Sequence, residues 1–142
     1  MYFQAIDEAR RALRHAWPWP NFRIEEFACR CGGRFCRHGV YIDPILIARL
    51  QTLRTQLGRP LIVTSGHRCA QWNAAIGGAP RSRHKQLAVD LSVQGHDRNV
   101  LHMTARAVGF SGIGLGQRFI HLDARAKPAT WVYAGSAALW KM

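Results

Sequence analysis

Acidic residues are scarce in this chain of 142 residues, which holds 8 Asp and Glu against 20 Lys and Arg and carries a formal net charge of +12. After Glu26, the carboxylates are limited to Asp43, Asp90, Asp97 and Asp123. Any carboxylate chemistry in the rest of the chain must therefore draw on these residues. The excess positive charge predicts a polyanionic partner, because it raises the rate of association with nucleic acid, anionic lipid headgroups or an anionic cell wall.

Long apolar runs, internal repeats and low-complexity segments are also lacking. No run approaches the roughly 18 apolar residues of a transmembrane helix, and charges occupy the N-terminal segment where a secretory signal would be apolar. With 48% hydrophobic residues, the chain predicts one globular domain over residues 1–142. We expect a helical and cysteine-rich part at 1–40, a core at 41–131 and a tail at 132–142.

The local sequence signals predict several short elements. Asp43 as N-cap, Pro44 at the first helical position and Gly58 after the end predict a helix over 43–58. The other predictions are a helix at 2–16, strands at 61–66 and 88–93, a short helix ending at 77–78, a helix from 97 to about 108, and a hairpin at 112–123. Because no regular βαβ repeat occurs, we expect an α+β fold, with a small antiparallel sheet and flanking helices.

Strand alternation suggests a cluster of metal ligands. In AVDLSV (88–93) the apolar residues share one face, so Asp90 lies on the other, and in RFIHLD (118–123) His121 and Asp123 point the same way. His84 precedes the first of these strands. A His₂Asp set with a fourth position left for water is typical of catalytic zinc. Isolated residues of these types also occur as turn residues or as hydrogen-bonded core groups.

The segments SGHRCAQWNAAIGGAPRSRHKQLAVDLSV and GFSGIGLGQRFIHLDARAKPATW resemble the zinc D-Ala-D-Ala carboxypeptidase family of peptidoglycan peptidases, which includes VanY-type enzymes and many phage endolysins. The resemblance covers roughly residues 20–131. The matching positions are 65–68, Asn73, 77–78, Ser82, His84, Ala88, Asp90 and His121. The resemblance implies a Hedgehog/DD-peptidase-like fold and hydrolysis of peptide bonds that involve D-amino acids in bacterial peptidoglycan.

Residue roles follow from the same resemblance. It implies that His84, Asp90 and His121 bind Zn²⁺, and that Arg68 holds a carbonyl or carboxylate of the substrate. Ser82 is expected to order the loop before the first ligand and to lie at the substrate site.

The chain departs from the family pattern at three points. His84 and Asp90 enclose five residues, one fewer than usual and without the customary glycine, and His67 replaces a tyrosine. In many members of the family, a Glu or Asp about three residues before the last ligand is the general base, and this chain has Arg118 there. We expect Asp123 to be the base, since alternation places it beside His121, with a supporting role that orients the site as the alternative.

Four cysteines have no assigned state from the sequence. The cysteines Cys29, Cys31, Cys36 and Cys69 could be free thiols, could pair as disulfides, or could form a structural metal site whose fourth ligand is either Cys69 or His38. A reducing cytosol disfavours early disulfides.

The expected partners are peptidoglycan and anionic cell-wall polymers, with no stable nucleic-acid partner, and we expect a monomer. The chain would be made in the bacterial host cytoplasm without a signal peptide and act on the wall, either released by a phage or carried on a virion. Two alternatives are a catalytically dead wall-binding homologue and a basic zinc-knuckle module that binds nucleic acid.

Overall fold

Helices and short strands alternate along the chain, which the computed structural model describes from residue 1 to residue 141. The helices are α1 (Ile6–Ala12), α2 (Pro44–Leu57), α3 (Ala70–Ala75) and α4 (Arg98–Val108). The strands are β1 (Tyr2–Phe3), β2 (Val40–Tyr41), β3 (Val63–Ser65), β4 (Val89–Ser92), β5 (Gly112–Leu115), β6 (Phe119–Asp123) and β7 (Ala129–Val132). Short 3₁₀ turns lie at Ile24–Phe27, Arg83–Lys85 and Ala137–Trp140.

Helix α2 begins and ends where its sequence signals predict. The Asp43 carboxylate accepts hydrogen bonds from the backbone N–H groups of Ile45 and Leu46 at 3.0 and 3.3 Å, which satisfies donors that the first turn leaves free. Gly58 ends the helix with a φ of +63°, a left-handed conformation that glycine adopts without a Cβ penalty. The helix predicted over 43–58 is therefore confirmed.

Five strands form the main sheet in the order β3-β4-β6-β5-β7. Neighbouring strands are antiparallel except β5 and β7, which are parallel. Strands β1 and β2 form a separate antiparallel pair. The α+β class is confirmed, but the main sheet is mixed because of β7. The sequence did not predict β7, since ATWV (129–132) is short, directly follows a proline and lacks an apolar alternation.

The N-terminal helix is shorter than predicted. The first residues are extended, because Tyr2 and Phe3 pair with Tyr41 and Val40 as a two-stranded sheet, and α1 begins only at Ile6. The apolar stripe over 2–16 therefore belongs to a strand and a helix in succession. Pairing with residues nearly forty positions along the chain overrides the local helical periodicity.

The apolar core lies on one face of the main sheet. Val89 and Leu91 of β4, together with Ile120 and Leu122 of β6, are completely buried in one cluster that runs from Ala9 to Trp140. The side chains of α2 and α4 belong to the same cluster. The polar residues between these positions therefore face the opposite side of the sheet.

The tail contributes to this core as well. Trp140 is buried, and its indole N–H donates to the Gly116 carbonyl at 2.7 Å. The last residue of the predicted tail, Met142, lies outside the described residues. Within residues 1–141, no helix combines the length and hydropathy needed to cross a bilayer. The division of the chain at residues 40 and 131 stays a prediction.

Candidate metal centre

A single register row crosses the polar face of the main sheet. Ser65, Asp90, His121, Gly114 and Trp131 are successive neighbours on β3, β4, β6, β5 and β7. In an antiparallel pair, directly opposite side chains lie on the same face, within contact distance. The row therefore brings two of the predicted ligands side by side and places a tryptophan close to them.

The three predicted ligands converge on one small volume. Asp90 Oδ1 lies 3.3 Å from His84 Nε2 and 3.2 Å from His121 Nδ1, and the two ring nitrogens are 3.2 Å apart. His84 reaches this point from the 3₁₀ turn before β4 rather than from the sheet. All three side chains are largely shielded from solvent.

The other nitrogen of each histidine is held by a hydrogen-bond acceptor. His84 Nδ1 lies 2.7 Å from the Gly66 carbonyl, and His121 Nε2 lies 2.7 Å from Asp123 Oδ2. A carbonyl or an ionised carboxylate can only accept, so these nitrogens carry the hydrogens. The lone pairs of His84 Nε2 and His121 Nδ1 therefore point toward Asp90. Hydrogen bonds of this kind fix the tautomer of metal-binding histidines.

The donor set and its dimensions fit a zinc ion. Ligand atoms about 2.0 Å from a tetrahedral metal lie about 3.3 Å from one another, and the three separations are 3.2 to 3.3 Å. Two nitrogen lone pairs and a carboxylate oxygen facing each other repel unless positive charge lies between them. Three such ligands leave a tetrahedral ion one position for substrate or water.

Electrostatics keep the carboxylate charged. Burial alone would raise the pKa of Asp90, but without a metal ion, hydrogen bonds from imidazole N–H groups of His121 and His84, whose protons lie where a metal ion would lie, hold that pKa well below its usual range. Burial lowers the pKa of His121, and the carboxylates of Asp123 and Asp90 outweigh this and raise it. The site is thus built to hold an ionised carboxylate next to positive charge.

Asp123 lies behind His121, on the side away from Asp90. Its carboxylate accepts from Arg125 Nε at 2.9 Å and from Arg125 Nη2 at 2.6 Å, in addition to His121. Burial would raise the pKa of Asp123, but Arg125 and His121 hold it well below its usual range. A Cβ at Gly112, its partner on β5, would overlap the carboxylate. Asp123 is thus fixed in one orientation toward His121.

Arg68 lies at the edge of the ligand cluster. Its Nη2 is 3.7 Å from Asp90 Oδ2, and it donates to Ser65 Oγ at 3.3 Å and to Asn73 Oδ1 at 3.2 Å. Asn73 is in turn held by the Ala79 carbonyl, which its amide contacts at 2.9 Å. The guanidinium is therefore positioned by side chains from β3 and α3.

The loop that carries His84 is ordered by short-range contacts. Ser82 Oγ accepts from the His84 N–H at 3.2 Å, and the His84 carbonyl accepts from the Arg68 N–H at 2.6 Å. A Cβ at Gly66 would come within 2.7 Å of the Phe27 backbone, so only glycine fits beside the carbonyl that holds His84. With these contacts, the shortened interval still brings His84 and Asp90 together. Ser82 also lines the cleft.

A cleft with two adjoining lobes surrounds the cluster. One lobe, of about 680 Å³, contains all three ligands, and the other, of about 470 Å³, extends along β3 and β4. Both lobes are lined by Arg68, Asp90 and Phe119. Arginines dominate their charged lining, namely Arg30, Arg68, Arg81, Arg83, Arg118 and Arg125. Among the lining residues Asp90 is the one carboxylate, so the cleft is strongly positive.

The structure adds cleft residues that no sequence motif marks, and it places in the cleft Trp131, which the sequence suggests either as a residue that stacks on sugars or as part of the packed C-terminal tail. The Trp131 ring lies 5.2 Å from the His121 ring, and the Arg125 guanidinium lies 4.6 Å from the centre of the indole. Tyr133 lines the same lobe, and burial raises its pKa. Trp131 lies on β7 and Tyr133 directly after it, whereas Arg125 lies between β6 and β7. A prediction of β7 could have placed Trp131 and Tyr133 near the ligands, whereas no motif marks Arg125.

The four cysteines lie together, away from the ligand cluster. Their Sγ atoms are all within 4.8 Å of one another. His38 is not part of this group, and its Nδ1 contacts the Cys29 carbonyl at 3.3 Å. Cys69 therefore completes the set.

Comparison with known proteins identifies one family. The family model described as Peptidase M15 matches residues 20–123, which include the cysteine segment, the three clustered ligands and Asp123. No curated protein gives a significant match to the chain.

Proposed function

Because the chain belongs to the peptidase M15 family, whose members are zinc-dependent, we propose that it hydrolyses peptide bonds involving D-amino acids within bacterial peptidoglycan. The observation that carries this proposal is the convergence of His84, Asp90 and His121 in an open, positively charged cleft. We further propose that the enzyme acts as an endolysin. Its release by a phage or its carriage on a virion stays a prediction.

The ligand roles follow from the contacts at the cluster. We assign the zinc ligands as His84 Nε2, Asp90 Oδ1 and His121 Nδ1, because these atoms face one another while the remaining histidine nitrogens are occupied. Bound zinc supplies a Lewis acid that polarises a carbonyl and lowers the pKa of a water molecule. The chain's own residues must then orient the substrate around it.

Arg68 is suited to hold an anionic or carbonyl oxygen of the substrate. Its Nη2 lies 3.7 Å from Asp90 Oδ2, and Ser65 and Asn73 fix the orientation of the guanidinium. A preorganised donor beside the reacting bond stabilises charge that develops on the carbonyl oxygen. Arg68 lines both lobes, so it would touch the substrate where the two halves of the cleft meet.

The contacts of Asp123 favour a role in orienting His121 over the role of general base. Both of its oxygens are engaged by Arg125 and one also by His121, and the carboxylate is 1% exposed. We therefore propose that Asp123 positions His121 rather than accepting a proton from water. The Asp123→Asn variant tests this proposal against the role of general base that the sequence predicts.

The shape and charge of the cleft support cleavage of a bond within a negatively charged wall peptide rather than at its end. The two lobes adjoin at Arg68 and Asp90, and two adjoining lobes suit a peptide that continues past the cleaved bond. The cleft arginines complement the carboxylates of wall peptides. We therefore propose endopeptidase activity rather than removal of a terminal D-Ala.

Mass spectrometry of the fragments released from purified peptidoglycan tests the proposal. The wild-type protein should release cross-linked or stem-peptide fragments, whereas His121→Ala should release none. His15→Ala, a change at an exposed histidine outside the cleft, is the matched control and should act like the wild type. Release of free D-Ala alone would assign a carboxypeptidase instead. Zinc binding without any release would indicate the dead wall-binding homologue.

A further inference from the structure

A second cluster of potential ligands lies outside the cleft, at the four cysteines. The Sγ atoms of Cys29, Cys31, Cys36 and Cys69 all lie within 4.8 Å of one another, and three of the residues are buried. Four thiolates about 2.3 Å from a tetrahedral zinc ion would be separated by about 3.8 Å. The Sγ atoms of Cys31 and Cys36 are 3.6 Å apart. The four sulfur atoms are therefore close enough to one another to bind a single tetrahedral zinc ion.

Backbone amides point at these sulfur atoms. The N–H of Cys69 donates to Cys29 Sγ at 3.4 Å, that of Trp72 to Cys69 Sγ at 3.4 Å, and that of Gly39 to Cys36 Sγ at 3.5 Å. Neutral sulfur is a weak acceptor, whereas an ionised acceptor strengthens such a bond. Three directed amides therefore favour thiolates over disulfide sulfurs.

The cysteine loop is shaped to gather its ligands. Gly32, Gly33 and His38 have φ values of +68°, +81° and +55°, so the chain turns sharply after Cys31 and again after Cys36. Cys69 joins them from the N-cap position of α3. The loop also carries Arg30, Arg34 and Arg37, whose charge offsets that of a tetrathiolate site.

We propose that Cys29, Cys31, Cys36 and Cys69 bind a structural Zn²⁺ ion, separate from the ion at the cleft. Four thiolates complete a tetrahedral shell, which is typical of structural zinc and leaves no position for substrate. A cluster of several irons would need thiolates set farther apart than this compact group. The chain would then carry two zinc ions of different chemistry.

This ion would link the loop to the rim of the cleft. Cys69 directly follows Arg68 and caps α3 through its contact with the Trp72 N–H. Without an ion, the cysteine loop contacts this region through side chains such as Arg30, which donates to the Val63 carbonyl at 3.1 Å, and Arg34, whose guanidinium lies 4.9 Å from the centre of the Trp72 ring. Zinc at the four cysteines would therefore hold the start of α3, and with it the backbone of Arg68, in place.

Metal content measured on the full chain tests the site independently of activity. The wild type, purified under reducing conditions, should hold two zinc ions, and Cys36→Ala and His121→Ala should each hold one. After exchange with Co²⁺, the wild type and His121→Ala should show thiolate-to-cobalt charge-transfer bands, and Cys36→Ala should lack them. His38→Asn is the matched control, because asparagine tolerates the positive φ, and it should keep both ions.

Several results would overturn the proposal. One zinc ion per wild-type chain with four thiols open to alkylation would show free cysteines, and non-reducing mass spectrometry could instead reveal disulfides. Iron in place of zinc would reject the choice of metal. Loss of the charge-transfer bands in His38→Asn would reject the four-cysteine set. If Cys36→Ala fails to fold, the cobalt spectra of the wild type and of His121→Ala still decide between these outcomes. If only the proposed zinc site in the cleft is wrong, the charge-transfer bands of the cysteine site remain.

Discussion

Asp90 and His121 lie directly opposite each other on the antiparallel strands β4 and β6, and Asp90 Oδ1 is 3.2 Å from His121 Nδ1. The strand register alone therefore brings together two ligands that are 31 residues apart in the chain. His84 joins them from a turn whose position depends on Gly66 and Ser82. Two of the ligands thus lie on strands of the sheet, and the third lies in a loop that is ordered by hydrogen bonds.

Removal of either histidine should cost the cleft its zinc. His84→Ala and His121→Ala each leave two of three ligands, so we expect zinc content to fall by about one ion per chain. Activity on peptidoglycan should fall by more than the about 10- to 100-fold that loss of an outer hydrogen-bond partner causes. Metal analysis and a lysis assay measure the two effects, with His15→Ala as the control. Unchanged zinc content and activity in both variants would refute the ligand set.

Asp123→Asn separates the two roles considered for this carboxylate. As a positioning residue, Asp123 should affect zinc affinity, which we expect to fall about 10- to 100-fold, with much of the rate restored by excess zinc. A general base would instead leave zinc bound while turnover falls about 10²- to 10⁴-fold. Zinc titration together with kcat distinguishes these results. Asp7→Asn, at an exposed carboxylate, is the control.

Arg68→Lys should weaken catalysis without removing zinc. Lysine keeps the charge but not the planar fork that contacts Ser65 and Asn73. Loss of a hydrogen bond to a charged group is worth about 1.5 to 3 kcal/mol, so kcat/KM should fall by about 10- to 150-fold. Arg81→Lys, at an exposed position on the cleft rim, should change little. Equal effects of the two variants would assign Arg68 to general surface charge.

Activity on whole cell walls should fall as salt rises. The cleft and the net charge of +12 favour long-range attraction to an anionic wall, and exposed charges more than about 8 Å apart are largely screened at physiological ionic strength. A small neutral peptide lacks this attraction and should be hydrolysed at a rate that depends less on salt. Rates for the two substrates over a salt series test the idea, which equal sensitivity would contradict.

His67 should make the unfolding free energy depend on pH. Burial lowers the pKa of His67 below its ordinary value of about 6.5, and its Nε2 has no hydrogen-bond partner among residues 1–141. At a pH well above about 6.5, the His67 ring is neutral in both the folded and the unfolded chain. As pH falls below about 6.5, the unfolded chain binds the proton first, so stability falls by up to about 1.4 kcal/mol per pH unit.

The His67→Phe variant isolates this effect. Phenylalanine does not titrate, so the difference in unfolding free energy between the wild type and the variant should shift against the wild type from pH 7 to pH 5. Denaturant titrations at several pH values measure this difference. A difference that stays constant across this range would show that His67 protonation is not coupled to folding.

Local sequence was sufficient for the elements whose signals act over a few residues. The caps at Asp43 and Gly58 and the alternation around Asp90 and His121 depend on backbone geometry within one or two turns or along one strand, and the structure agrees with them. The extended state of Tyr2 was missed, because it depends on pairing with Tyr41.

The sequence by itself determined the α+β class, the helix over Pro44–Leu57 and the face on which Asp90, His121 and Asp123 lie. Only the tertiary structure decided which atoms meet. Alternation places Asp123 on the same face as His121, but the positions of Arg125 and Gly112 turn its carboxylate toward Nε2. The same holds for Cys69, which joins the other cysteines from 33 residues beyond Cys36. Spacing along a chain limits which side chains can share a face, whereas distances between segments depend on the packing of the whole fold.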